Sequence, residues 1–339
     1  MTDFRRATPR STRRLLGPAL TGALAAGLCA APAAVATPAA SNRGPAPAAY
    51  DLPADGIRLE GVGRDDRSGA IYVSATNQDG TIYRALPGTD QLSVWVGPSA
   101  GANGRGIAVD DAGRVFVAGG PSGAVRVFDR AGALLAHLPT GVAGAFLNDL
   151  WVGPDGSVYV TDSTLPTIWR VRTDAAAGGS WRIEAWLDVS ATIPYTPATT
   201  DFDLGGITTT PGGHQLILAQ GTTGQLWRVE LSTGAVSELV VTDATGARVA
   251  LRNADGIALR GDTLYVVQNF LRQISTVELS HGGSKGTLVA VTPTSPTRTF
   301  TTAKLAGGRL LAVDSTFGLP LAPAADRVVA FDLPLGRAG

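Results

Sequence analysis

The chain has one cysteine, Cys29, and it lies in an N-terminal stretch that reads as a leader. If that stretch is removed, the mature chain has no cysteine and can form no disulfide. Histidine is nearly as scarce, with only His137, His214 and His281. His214 is expected in a Gly-Gly turn and the other two in strand connections, so a histidine-rich zinc site is set aside. Charge of one sign is lacking too: 28 basic residues match 28 acidic ones, with no later basic cluster. Such a chain is a poor candidate for nucleic-acid binding. Beyond residue 36 no apolar run approaches membrane-spanning length, and no segment carries a helical pattern longer than two turns.

Residues 1–36 read as an export signal. Arg5, Arg6, Arg10, Arg13 and Arg14 form a basic start, Leu15 to Val35 an apolar Ala-rich run, and Ala34-Val35-Ala36 a small-x-small cleavage site. Ser11-Thr12-Arg13-Arg14-Leu15-Leu16 is similar to a twin-arginine signal, with the general secretory route as the alternative. Leu28 before Cys29 does not suit a lipoprotein cleavage site, so no lipid anchor is expected. The leader carries those five arginines and one acid, Asp3, which leaves 23 basic and 27 acidic residues in a secreted, mildly acidic chain. Residues 37–49 are rich in Ala and Pro and read as a linker, and residues 335–339 as a tail.

What the chain does have is glycine, 43 residues of it, and a repeated phrase. Asn148-Asp149-Leu150-Trp151-Val152, a Gly153-Pro154-Asp155-Gly156 turn and Val158-Tyr159-Val160 form two short strands around a turn. The same phrase starts at Glu60-Gly61-Val62, Arg105-Gly106-Ile107, Gly205-Gly206-Ile207, Asp255-Gly256-Ile257 and Thr302-Ala303. A third strand follows, as at Thr167-Ile168-Trp169-Arg170 and Gln225-Leu226-Trp227-Arg228. Six such units, spaced at roughly 43 to 57 residues, predict an all-β fold over residues 50–334: a six-bladed β-propeller with four-stranded antiparallel blades. Tyr50-Asp51-Leu52 is expected to be a strand that closes the ring with the last blade.

In a propeller the residue before each innermost strand sits at one mouth of the central channel. In that register fall Glu60, Arg105, Asn148, Gly205, Asp255 and Thr302. Two carboxylates and an amide meeting there would repel and raise one another's pKa unless compensated. A hard divalent cation held by oxygens removes the repulsion. The bland reading of each phrase alone is a turn, since Asn-Asp and Asp-Gly are ordinary turn formers. Three oxygen-bearing residues in one register of three blades favour a metal or ligand site.

With these residues the chain resembles the SMP-30/gluconolactonase/luciferin-regenerating-enzyme family of six-bladed propellers, over about residues 50–334. Glu60-Gly61 resembles that family's metal-binding E-G, Asn148-Asp149 with Thr161-Asp162 its N-D…T-D phrase, and Asp255-Gly256 its D-G. The resemblance implies a metal-dependent lactonase or esterase acting on a small molecule. Glu60, Asn148 and Asp255 would be metal ligands, and Asp255 also the catalytic base. Arg105, Asp149, Asp203 and Thr302 would contact substrate. The ion would be Ca²⁺ first, with Mg²⁺, Mn²⁺ or Zn²⁺ as alternatives. The protein would be a monomer, bound neither to nucleic acid nor to membrane once the signal is cleaved. Gly205-Gly206 departs from the family's N-G, whose Asn ligates the metal, and Asp203 two residues earlier is the candidate substitute. Two other readings stay open: a non-catalytic extracellular propeller that binds a ligand or partner, and a metal-independent strictosidine-synthase-like propeller. No pocket histidine is in register, which argues against a quinone-dependent sugar dehydrogenase.

Overall fold

The computed structural model describes residues 48–174, 180–196, 202–320 and 325–335. The expected export signal, most of the expected linker and residues 336–339 lie outside the described residues. Among the described residues there are 24 strands and no helix. They form six four-stranded blades, numbered here in chain order. Their first strands are Leu59–Arg64, Ile107–Val109, Leu147–Val152, Leu204–Thr209, Ala254–Arg260 and Thr299–Ala306.

Blades 1 to 5 are each built from consecutive antiparallel strands. Blade 6 takes three strands from the C-terminal end, and its fourth is Ala49–Asp51, with Tyr50 opposite Val328. This is the ring closure expected from Tyr50-Asp51-Leu52. The sequence does not signal one feature: the outer strands of blades 4 and 5 pair in parallel, Val240 opposite Lys285, and join the two blades into one sheet.

The strands follow from their composition. First strands are buried almost throughout, whereas the outer strand of blade 5, Lys285–Pro293, alternates between exposed and covered residues. The buried apolar side chains fall into six clusters, one for each interface between neighbouring blades. Tyr72 and Ile107 meet between blades 1 and 2, and Val313 and Leu59 between blades 6 and 1. Leu335, expected in a tail, is buried in the cluster between blades 5 and 6. Six interfaces for six blades make a closed ring with no blade left unpacked.

Five of the six first strands carry a β-bulge at one position, at Glu60-Gly61, Asn148-Asp149, Gly205-Gly206, Asp255-Gly256 and Thr301-Thr302. A bulge sets two residues against one and re-aims the side chain at its head. The second residue is pressed against the next blade. A Cβ on Gly61 would lie 2.1 Å from the Arg105 carbonyl oxygen, and one on Gly206 2.3 Å from that of Asp255. Hydroxyls from neighbouring strands fasten the bulged backbone. Thr161 Oγ1 donates to the Gly205 carbonyl at 2.6 Å, Ser163 Oγ to Leu204 at 2.7 Å and Thr301 Oγ1 to Glu60 at 2.7 Å.

Candidate active site at one mouth of the channel

A pocket of about 300 Å³ opens where four bulge-register residues meet: Glu60, Arg105, Asn148 and Asp255 all line it. Gly205 lines it as well and contributes only backbone.

Glu60 is 4% exposed, and its Oε2 has no hydrogen-bond partner among the described residues. Burial pushes its carboxyl up to about 8; Arg105 opposes this, while the charges of Asp255 and Asp149 add to it. Burial likewise pushes Asp255 up to about 7, against a hydrogen bond from Asn269, with the Asp149 charge adding to the rise. Asn269 Nδ2 donates to Asp255 Oδ2 at 3.0 Å, and Asn269 Oδ1 accepts from the Phe270 amide at 2.6 Å, which fixes the amide's direction.

Asn148 is oriented in a similar way. Ser163 Oγ donates its only proton to the Leu204 carbonyl, so it must accept from Asn148 Nδ2, which lies 2.7 Å away. The Asn148 carbonyl oxygen is thereby left for the pocket. Arg105 sits between two rings, its guanidinium carbon 5.0 Å from the Phe146 centroid and 5.4 Å from that of Phe317. Its Nε has no partner among the described residues. Burial lowers its pKa, against the nearby charges of Glu60 and Asp255.

The remaining sequence candidates are placed differently. Asp203 lines the pocket, but its carboxylate accepts from the Thr196 amide at 2.8 Å, from Gln220 Nε2 at 3.1 Å and from the Thr222 hydroxyl. It braces a loop and is not the substitute for the missing fourth-blade Asn. Asp149 does not line the pocket; it pairs with Lys304 Nζ at 3.4 Å. Lys304 lines a second cavity of about 760 Å³ at the opposite mouth, so the pair lies in the channel between the two. Thr302 is a correction: the last phrase lacks the glycine that follows the head residue in four others, and Thr301 holds the position equivalent to Glu60. Thr302 instead packs on Gly256, where an added Cβ would come within 2.4 Å of it. Thr161 and Asp162 of the T-D phrase are scaffold, and Asp162 accepts from the Phe146, Thr164 and Leu165 amides and from Trp169 Nε1.

The opposite cavity is the larger, yet most of its charges are paired, as in Arg114 Nε–Asp110 at 2.6 Å, and Asp111 there is exposed. Unpartnered buried charge marks the smaller pocket as the chemical site. Asn269, Phe146, Phe202, Phe270 and Phe317 also line that pocket and were missed from sequence. They lie outside the repeated phrase, and their only signal is that each closely precedes or follows a buried strand.

Glu60, Asn148 and Asp255 offer two carboxylates and one amide oxygen. That donor set, with one orphaned oxygen, fits a hard cation. Among the described residues, no group of three or more His, Cys, Asp or Glu side chains forms a metal cluster.

No protein-family model and no curated protein sequence matches the chain. Solved structures do match in fold. A virginiamycin B lyase from Staphylococcus aureus is 13% identical, with 84% of this chain and 98% of that one covered, at a TM-score of 0.58. A calcium-binding regucalcin from Agrobacterium tumefaciens is 16% identical over 85% and 100%, with a TM-score of 0.57. A gluconolactonase from Xanthomonas campestris is 16% identical over 84% and 98%, with a TM-score of 0.54. At these identities the likeness is one of fold, and the propeller expected from the family resemblance is the fold observed.

Proposed function

We propose that the protein is a hydrolase of a lactone or related ester, working at the mouth where Glu60, Arg105, Asn148 and Asp255 meet, with a divalent cation, calcium first, as cofactor. The observation that carries this reading is the buried Glu60 carboxylate, unpartnered at Oε2 and sharing the pocket with a second, half-buried carboxylate, Asp255. Glu60, Asn148 and Asp255 would hold the ion. When bound, it would polarise the substrate carbonyl and stabilise the developing negative oxygen.

The rest falls to the chain's own side chains. Asp255, held by Asn269, takes a proton from the attacking water. The water oxygen bonds to the carbonyl carbon, the ester C–O bond breaks, and the proton passes to the departing alkoxide. Arg105, wedged between Phe146 and Phe317, is placed to receive the carbonyl oxygen or the product carboxylate. The ring of blades holds these groups on rigid strands, so little reorganisation accompanies the step.

A second reading, a non-catalytic binding module, is favoured by one observation: Gly205 leaves the fourth blade without a ligand side chain, and Asp203 is committed elsewhere. Elemental analysis together with a lactone assay separates the two. One tightly held divalent ion, with ion and hydrolysis both lost in Asp255→Asn, supports the enzyme. Protein that retains no ion after calcium loading and opens no lactone is a binding module. Export by residues 1–36 belongs to the same proposal; secreted protein beginning near Thr37 is expected, and secreted protein beginning at Met1 would refute cleavage.

A further inference from the structure

The rim of the pocket is phenylalanine. Phe146 and Phe202 meet on one side with ring centroids 4.7 Å apart, and Phe270 and Phe317 stack on another at 6.3 Å. All four line the pocket, out of nine phenylalanines in the chain. Phe202 is 44% exposed and Phe270 51%, although a large apolar ring gains nothing by facing water. Two ring pairs around one cavity are an apolar surface that a ligand could cover.

Several polar side chains in the same pocket are committed, while the Asn148 carbonyl oxygen, the Asn253 side chain and part of the Arg252 guanidinium stay open among the described residues. Asp203 is bonded to Thr196, Gln220 and Thr222. Asn269 bridges Asp255 and the Phe270 amide, and Asn148 gives one amide proton to Ser163. Two groups that line the pocket, Glu60 Oε2 and Arg105 Nε, are buried without partners among the described residues and suit one reacting carbonyl group.

We infer that the substrate is an ester or lactone with a large apolar body, aromatic or branched. This rests on the hydrolase reading for the reacting group, but the apolar body is argued from the rim alone. The carbonyl group lies against Arg105, and the body lies between the Phe146–Phe202 and Phe270–Phe317 pairs.

The test uses full-length protein in calcium buffer and two non-hydrolysable lactams, a phenyl-substituted δ-valerolactam and gluconolactam, followed by calorimetry. The phenyl lactam should bind at least about tenfold more tightly. The Phe202→Ala/Phe270→Ala double variant should weaken it about tenfold while leaving gluconolactam unaffected. Both rings are half exposed, so the melting temperature should hold and separate lost contact from lost fold. Equal or tighter gluconolactam binding, no phenyl-lactam binding, or unchanged phenyl-lactam affinity in the double variant would each overturn the inference. Hydrolysis of the two matching lactones is measured separately. Phenyl-lactam binding without hydrolysis of either lactone sinks the hydrolase reading and leaves the ligand class standing.

Discussion

Glu60 and Asp255 hold a proton more tightly in the folded chain than their ordinary values of 4.5 and 3.8 imply, because burial desolvates both carboxyls and both face further negative charge. In cation-free protein the stability contributed by the neutral forms is complete below those ordinary values. It is lost as pH rises through about 7 for Asp255 and about 8 for Glu60. Melting temperature in chelator should therefore fall between about pH 5 and pH 8, and Glu60→Gln should flatten that fall while weakening calcium binding. A parent profile that rises over this range would count against the carboxylate pair. At the fourth blade, a Cβ on Gly205 would lie 3.3 Å from Asp255 Oδ1, and Gly205 has no left-handed backbone. Asn fits there with a small adjustment and brings an amide oxygen to the site. Gly205→Asn should tighten calcium binding relative to the parent and to the Gly205→Ala control; equal affinity in the two variants would show that the position adds no ligand. The residues of this site were legible where chemistry and repeat coincide, as at Glu60, Arg105, Asn148 and Asp255. The Phe rim was not legible, because loops outside the repeated phrase carry it. Asp203 lines the pocket as expected, but its bonds to Gln220 and Thr222 were not legible, because those residues come from another stretch of chain.

At the scale of the strand, the bulge turns a turn-like dipeptide into a site. Without it, strict alternation would send only every second residue to the channel, and the pairs Glu60-Gly61 and Asp255-Gly256 would straddle the two faces. In the last blade the pair is Thr301-Thr302, with no glycine to mark its second member as at Gly61, Gly106, Gly206 and Gly256, which is why Thr302 was read in place of Thr301. The bulge depends on borrowed hydroxyls. Ser163 bonds both the Leu204 carbonyl and the Asn148 amide, linking blades 3 and 4 at the point where Asn148 must present its oxygen. Ser163→Ala leaves the Asn148 amide free to turn and the Leu204 carbonyl short of one donor. The expected cost in stability is about 1–3 kcal/mol. Calcium affinity should fall by more than in Ser122→Ala, whose hydroxyl bonds its own turn at the Gly119 carbonyl. Equal calcium affinity in Ser163→Ala and the parent would show that the Asn148 orientation does not matter to the ion.

The whole ring was readable from six recurrences of one short phrase, because each blade repeats one solution to the same packing problem. The parallel contact between the outer strands of blades 4 and 5 was not, since it depends on two loop paths and no repeated residues. Closure is where a ring is weakest, because one blade must be completed by chain from the other end. Here Ala49–Asp51 supplies it: the Ala330 amide donates to the Ala48 carbonyl at 2.8 Å, and Asp51 exchanges hydrogen bonds with Asp90 and Leu92 beside blade 1 at 2.8 Å each. Tyr50 and Leu52, at 7% and 6% exposure, belong to the apolar cluster between blades 6 and 1. A chain starting at Thr37 keeps all of this, whereas one starting at Pro53 loses the strand and both side chains. Burying two such side chains is worth about 3–6 kcal/mol, and a domain of this size shifts by about 2–4 °C per kcal/mol. The shorter chain should therefore melt about 6–24 °C below the longer one. It also exposes the edge of blade 6, a free strand edge open to pairing with another copy, so concentration-dependent association should accompany the loss. Calcium binding should survive in the shorter chain at temperatures where it stays folded, since Glu60, Asn148 and Asp255 lie on first strands and the closing strand lies at the rim. Two chains with the same melting temperature would mean that the ring closes without this strand.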